Sequence, residues 1–352
     1  MNISIEQAKA FNKEFRKRVS DYFRSNNISR KGNWVLYIKA ILGIGSFVTC
    51  MVLYYLHIGN QYLILSCAGV CMAFIGMNTM HDGAHGSFSK YEWVNKITAG
   101  TIYVLAGNVT NWDAQHNVKH HYYTNIYKKD DDLDSGRGLI RFSRFQKKRW
   151  YHALQFIYAL FLYTLLTLNW AIRTDFTQTL RYSKDPLVKD KYANKLKIWT
   201  IIIVSKLVLF CIYIYIPVLL GYSWVSALFG FIVMHLVAGF ILSHVFEMAH
   251  INAEVSTYDK DYVIPRHMQK IHQIQTTQDF AVNNPIVNFF TGGLNKQTVH
   301  HLEPNTSHVH YTAIQKILEE VAEKFNIQYH KKKYFMSALF GHYKYLYNNG
   351  IH

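Results

Sequence analysis

Residues 33–56, NWVLYIKAILGIGSFVTCMVLYYL, and residues 62–80, YLILSCAGVCMAFIGMNTM, are two apolar runs joined by the short stretch HIGNQ, and His81 follows the second run directly. A helix that crosses a bilayer needs about 20 apolar residues. The joining loop carries neither Lys nor Arg, so the positive-inside bias predicts a hairpin with both ends cytoplasmic. His81 then stands at the cytoplasmic end of the second span.

Four more apolar blocks follow, at 97–109, 153–172, 198–220 and 223–243. The first is too short to span comfortably. The loop 173–197 carries seven basic residues, Arg173, Arg181, Lys184, Lys189, Lys191, Lys195 and Lys197. Such a loop belongs inside. Segment 153–172, entered through KKRWYHALQFIYALF, is therefore predicted to lie in the interface, and 198–220 with 223–243 to form a second hairpin. The expectation is one all-α membrane domain, residues 1–352, with four transmembrane helices in two hairpins at about 33–56, 62–80, 198–220 and 223–243. Residues 1–32, with FNKEFRKRVSDYF at helical spacing, read as a cytoplasmic amphipathic helix on the membrane surface. Residues 244–352 form a cytoplasmic helical cap.

Composition agrees. Half of the 352 residues are hydrophobic and 16% are aromatic. The net charge of +16 comes without any soluble nucleic-acid-binding motif, so basic flanks against anionic lipids explain it and no nucleic-acid partner is expected. Cys50, Cys67, Cys71 and Cys211 lie in or beside apolar blocks and read as small buried hydrophobes rather than a disulfide framework. The polar N-terminus predicts no cleavable signal peptide.

Three histidine clusters punctuate this frame: HDGAH (81–85), HNVKHH (116–121) and QTVHH (297–301). Residues four apart share a helix face. His81 pairs with His85, His116 with His120, and Gln297 with His301, while His121 lies about 100° round from His120 and His300 beside His301. Seven histidines in three sets exceed the four ligands of one zinc, so two metals is the economical reading. His244, at the end of the fourth span, is a further candidate. His235 points away and is left out, and His250, His267 and His272 read as residues of a polar surface stretch. The run Asp130, Asp131, Asp132, Asp134 is either a solvated acidic loop or a source of carboxylates, Asp130 and Asp134 among them, that orient ligand imidazoles. HDGAH on its own also fits a zinc-protease helix motif, with Asp82 where a glutamate would act, but that leaves two clusters unexplained. Lys206, inside the third span, either snorkels or faces a cavity.

Together, HDGAHGSFS, WDAQHNVKHHYYTNIYKKDDDLD and FFTGGLNKQTVHHLEPNTSHVHY resemble the three boxes of the integral-membrane fatty acid desaturase family, in order, spacing and hydropathy over nearly the whole chain. The glutamine heading the third box resembles the front-end branch, to which linoleoyl-CoA desaturases are similar. The resemblance implies two irons, with O2 as co-substrate, and His81, His85, His116, His120, His121, His244, His300 and His301 as ligands. Gln297 would bind weakly, bind through water, or hydrogen-bond a ligand. Relatives usually read His-His-Leu-Phe-Pro in the third box, whereas Glu303 stands here in place of the Phe.

The implied reaction removes two hydrogens from a fatty acyl-CoA or acyl-lipid chain. Residues 1–33 lack the His-Pro-Gly-Gly haem motif, so a separate electron donor, a ferredoxin or cytochrome b5 with its reductase, is expected to dock. The implied location is a bacterial inner membrane or the endoplasmic reticulum, with the histidine site on the cytoplasmic side. Two other readings stand beside this one: a fatty acyl or lipid hydroxylase of the same superfamily, and a non-enzymatic membrane metal-binding protein.

Overall fold

The computed structural model describes residues 3–133 and 138–352, so Asp134 lies outside the described residues. Among the described residues four helices are long and apolar enough to cross a membrane: Trp34–Tyr55, Gln61–Ala84, Lys195–Leu219 and Trp224–His250. At 1.5 Å per residue they run about 33–40 Å. Each hairpin starts or turns on a side-chain cap. Asn33 accepts from Val35 N, Asn60 from Tyr62 N and Leu63 N, and Ser223 from Ser226 N. The two hairpin loops meet at one end of the bundle, where His57 lies 2.8 Å from Leu220 O and stacks on Tyr222. All the histidine clusters gather at the other end.

The second span lies between the first and fourth and carries the main apolar core, with Leu65, Ala68, Met72 and Ala73 against Met234, Ala238 and Leu242. Glycine sets the closest approach. A Cβ on Gly69 would lie 2.4 Å from Met234 O, so any larger residue there pushes the two helices apart.

Segment 150–182 bends by 61° between Trp150–Thr164 and Leu166–Tyr182. It packs against the fourth span, with Ser243 Oγ donating to Tyr163 O at 3.0 Å and Thr167 Oγ1 to His235 O at 2.9 Å. Lys206 Nζ reaches from the third span to Asp175 Oδ2 at 2.5 Å and to Trp170 O at 2.9 Å. Lys206 thus pins the bend to the bundle, with Asp175 satisfying an otherwise costly buried charge. Histidines from the ends of the second and fourth spans meet in one cluster, so an even number of crossings separates them. The third and fourth spans supply two, and segment 150–182 adds none.

The N-terminal helix Ile5–Ser25 departs from expectation. Its apolar face, Ala8, Phe11, Phe15 and Val19, is fully buried against Ile314, Leu318 and Val321 of the cap helix Tyr311–Lys324. The amphipathic face is therefore consumed by protein, not by the membrane surface. Each of the large side chains so buried stabilises the pairing by about 1.5–3 kcal/mol. Glu303 reinforces the joint, pairing with Arg30 at 2.9 Å and Lys270 at 3.2 Å, which accounts for a carboxylate at a position where an apolar residue is usual.

Candidate metal centre

The first cluster hangs from a widened helix end. The second span opens into a π-helical turn, Gly76–Met80, before His81–Ala84 resumes α geometry. Such turns insert an extra residue and recur at functional sites. The third box packs against this turn through Gly292, whose φ is +60° and whose Cβ would lie 2.2 Å from Met77 O. Only glycine fits there.

The second cluster lies on helix 109–123, whose middle, Asp113–His120, is π-helical. The wider turn brings residues four and five apart to one face. His121 Nε2 consequently lies 3.2 Å from His116 Nε2, whereas α geometry would have turned His121 away. The third cluster lies on the short buried helix Gln297–Leu302. Asp279 Oδ1 holds its start by accepting from Thr298 N at 2.8 Å.

Two adjoining sets result. His81, His85, His116 and His300 offer nitrogens all within 4.8 Å of one another, and so do His120, His250 and His301. His121 is grouped with His300 and His301 and stands between the sets. His81 Nε2 lies 3.3 Å from His116 Nε2. Two nitrogens bound to one metal at about 2.1 Å sit about 3.0–3.4 Å apart for right-angled to tetrahedral arrangements, so the spacing fits shared coordination.

Four of the second ring nitrogens are tied back, whereas His121 Nδ1 is buried without a hydrogen-bond partner. His120 Nδ1 lies 3.1 Å from Asp130 Oδ1 and 3.2 Å from Asp132 Oδ2. His250 Nδ1 faces Thr276 O at 3.2 Å, His300 Nδ1 faces Tyr311 Oη at 3.1 Å, and His301 Nδ1 faces Gln273 Oε1 at 2.7 Å. The carbonyl oxygens of Thr276 and Gln273 can only accept, so they fix His250 and His301 in the tautomer that leaves Nε2 as a lone pair, and the carboxylates hold a proton on His120 Nδ1. Meanwhile His85 Nε2, His120 Nε2, His300 Nε2 and Gln297 Oε1 are buried without a hydrogen-bond partner. Buried polar atoms are rarely orphaned. Several inward-facing orphans in one place, backed by oriented second nitrogens, fit a pair of metal ions.

Electrostatics agree with neutral ligands. Burial first, and neighbouring imidazoles second, hold His85, His116, His121, His300 and His301 well below the usual histidine range. His120 is the exception. Burial lowers it, but Asp130 and Asp132 outweigh that and carry it up to about 9.

The structure brings together seven of the eight expected histidines: His81, His85, His116, His120, His121, His300 and His301. His244 is not among them. Its Nδ1 lies 2.7 Å from Phe240 O of its own helix and its Nε2 2.7 Å from Tyr343 Oη of helix Phe335–Ile351, so both nitrogens are occupied. Its place is taken by His250, six residues on, because the fourth span stays helical past its apolar block. Six residues turn a helix by about 600°, so the two rings face different ways. Gln297 does reach the site, its Nε2 lying 3.1 Å from His250 Nε2 and 3.4 Å from His301 Nε2. Asp130 also accepts from Asn125 N at 2.8 Å, which locks the carboxylate that faces His120.

A cavity of about 110 Å³ touches both sets, with His116, His120 and His250 in its lining together with Trp112, Leu166, Trp170 and Phe246 and the polar side chains of Asp130, Asp132 and Glu247. A second cavity of about 360 Å³ adjoins it, sharing Gln115, Leu166 and Trp170, with Arg173 and Arg181 in its lining.

The fatty acid desaturase family model matches residues 56–333. The chain is 32% identical over 354 residues to an sn-1 linoleoyl-lipid 6-desaturase of Arthrospira platensis, covering 98% of this chain and 94% of that one. It is 30% identical to acyl-lipid (8-3)-desaturase B of Dictyostelium discoideum, covering 97% and 75%. It is 27% identical to an sn-1 linoleoyl-lipid 6-desaturase of Synechocystis sp., covering 98% and 96%. With four spans, a buried histidine centre and these likenesses, the chain belongs to the fatty acid desaturase family and is a membrane-bound oxidoreductase.

Proposed function

We propose that the chain is an O2-dependent acyl-lipid desaturase of the front-end type, with two irons held by His81, His85, His116, His120, His121, His250, His300 and His301. The observation that carries this reading is the cavity that touches both histidine sets and also has Trp112, Leu166, Trp170 and Phe246 in its lining. Methylenes offer no polar handle, so an acyl chain is positioned by the shape of such a lining. Irons held there would, with O2, two electrons and two protons, supply the oxidation that removes two hydrogens from the chain as O2 is reduced to two waters. The protein orients the ligands and excludes water. Asp130 and Asp132 hold the Nδ1 proton of His120, and Trp112, Leu166, Trp170 and Phe246 keep the reacting segment dry.

The adjoining cavity accommodates the polar end of a lipid-linked substrate, with Arg173 and Arg181 facing it. The names of the relatives from Arthrospira platensis and Dictyostelium discoideum, linoleoyl-lipid and acyl-lipid desaturases, support that substrate class. The positive-inside bias puts the site on the cytoplasmic side. The basic surface there steers an acidic electron donor, a ferredoxin or cytochrome b5.

The test is to express the chain with a reductase system in a host fed linoleate and to profile the lipids. The expected product has two hydrogens fewer, with the new double bond on the carboxyl side of the existing ones. A product that has gained one oxygen would make the chain a hydroxylase, and unchanged lipids from an iron-loaded chain would remove linoleoyl lipids as its substrate.

A further inference from the structure

On another side of the molecule, away from the cavities beside the histidines, lies a third cavity of about 440 Å³ with Lys39, Lys296, Lys316 and His308 in its lining. Two of these ammonium groups are deeply buried: Lys39 is 4% exposed and Lys296 is 0% exposed. Lys39 Nζ lies 3.0 Å from His308 Nε2, and Lys296 Nζ donates to Asn288 Oδ1 at 2.6 Å. Both partners are neutral. The carboxylate behind His308, Asp82, lies 3.1 Å from its far nitrogen and does not reach Lys39 directly. A buried cation without a direct counter-charge is costly. Lys39 at the cavity, exposed Lys316 beside it and the buried charge of Lys296 behind its surface make a site that favours an anion.

The surroundings identify the anion's source. The cavity opens where the first span begins, at Asn33 and Val35. Beside it runs the short helix Pro285–Phe290, whose Ile286, Phe289 and Phe290 are exposed, as are Trp34 and Ile38 of the span. Lys39 Nζ also lies 4.9 Å from the centre of the Phe289 ring. A cationic cavity rimmed by exposed apolar side chains suits a headgroup inside and acyl tails outside, and basic pockets beside spans bind anionic lipids. Burial carries Lys296 down to about 8, partly offset by Asp279, and a bound anion would hold it charged.

We propose that this cavity binds the phosphate of an anionic phospholipid through Lys39 and Lys316, with Lys296 adding charge from behind the surface, at a site separate from the one that takes the acyl substrate. The proposal does not rest on the reaction, because lipid retention is read without turnover. The purified full chain, in detergent, is titrated with dioleoyl phosphatidylglycerol or dioleoyl phosphatidylcholine and bound lipid is counted by native mass spectrometry. One phosphatidylglycerol should be retained in preference to phosphatidylcholine. Lys316→Gln should weaken that retention about tenfold, the loss of one charge-assisted hydrogen bond, Lys296→Gln, which removes a nearby charge and no contact, should weaken it less, and both should leave phosphatidylcholine unaffected. Lys316 is exposed, so its variant folds even if the Lys296 variant does not.

Equal retention of the two lipids, or unchanged phosphatidylglycerol binding in Lys316→Gln, would overturn the proposal. Inorganic phosphate that binds at the same lysines as tightly as the lipid does would assign the cavity to a soluble anion and overturn the lipid source. Loss of an acidic protein's binding in Lys316→Gln, with no lipid preference, would overturn it in favour of protein docking.

Discussion

Two histidines on one helix, His244 and His250, separate the account sharply when each is replaced by Ala. His244 is 5% exposed and hydrogen-bonded at both nitrogens, to Phe240 O and Tyr343 Oη. Its removal costs two neutral hydrogen bonds at about 0.5–1.5 kcal/mol each, plus the void left by a ring. The expected penalty is about 2–4 kcal/mol of stability, with iron content and activity per folded molecule unchanged. His250 has one tie, to Thr276 O at 3.2 Å, and its Nε2 points at Gln297 within the set shared with His120 and His301. Losing a residue that merely orients a ligand costs 10–100-fold, so losing the ligand itself should cost more than about a hundredfold in activity. Iron should fall from about two per chain towards one. The assay is paired: iron by elemental analysis and lipid product per milligram of protein, both on material that elutes as wild type. Wild-type iron and activity in His250→Ala, together with loss of both in His244→Ala, would refute the ligand assignment.

Three further outcomes follow from the same geometry. Asp130→Asn weakens the acceptor on His120 Nδ1 and should lower activity about 10–100-fold while the protein stays folded, read as turnover against iron content. In the iron-free chain, His85, His116, His121, His300 and His301 have folded values below the unfolded 6.5, so the folded state binds fewer protons and their contribution is lost as pH falls below about 6.5, at about 1.4 kcal/mol per pH unit for each fully neutral histidine. His120, raised to about 9, acts oppositely, contributing fully below about 6.5 and losing its contribution as pH rises to about 9; chelator-treated protein unfolded across pH 5 to 9 should show a steep acid limb and a shallow alkaline one. A cysteine at Ser183 should react with a membrane-impermeant reagent only from the cytoplasmic side, and labelling of intact cells from outside would contradict the four-span topology.

What the sequence made legible follows the physics of each element. His81, His85, His116, His120 and His301 were readable because spacing of four residues puts side chains on one helix face, while His121 and His300 came with their clusters and the family resemblance. The charge of the loop 173–197 exposed the bent segment before it, since seven basic residues resist translocation. His250 was missed because the apolar block stops at residue 243 while the helix continues to His250. A signal was present: no Gly or Pro interrupts 244–250. The facing of His121 was misjudged because a π-helical turn at Asp113–His120 leaves no periodic mark in so short a stretch. The burial of Phe11 and Phe15 shows a different limit. An amphipathic face announces that something covers it, but lipid and a cap helix demand the same apolar side chains.

The central claim is that two histidine sets hold two irons. Its most direct test is metal analysis with X-ray absorption on the full chain purified after expression in iron-replete medium. The account predicts about two irons per chain in a first shell dominated by imidazole nitrogen. One zinc per chain and no iron would contradict it.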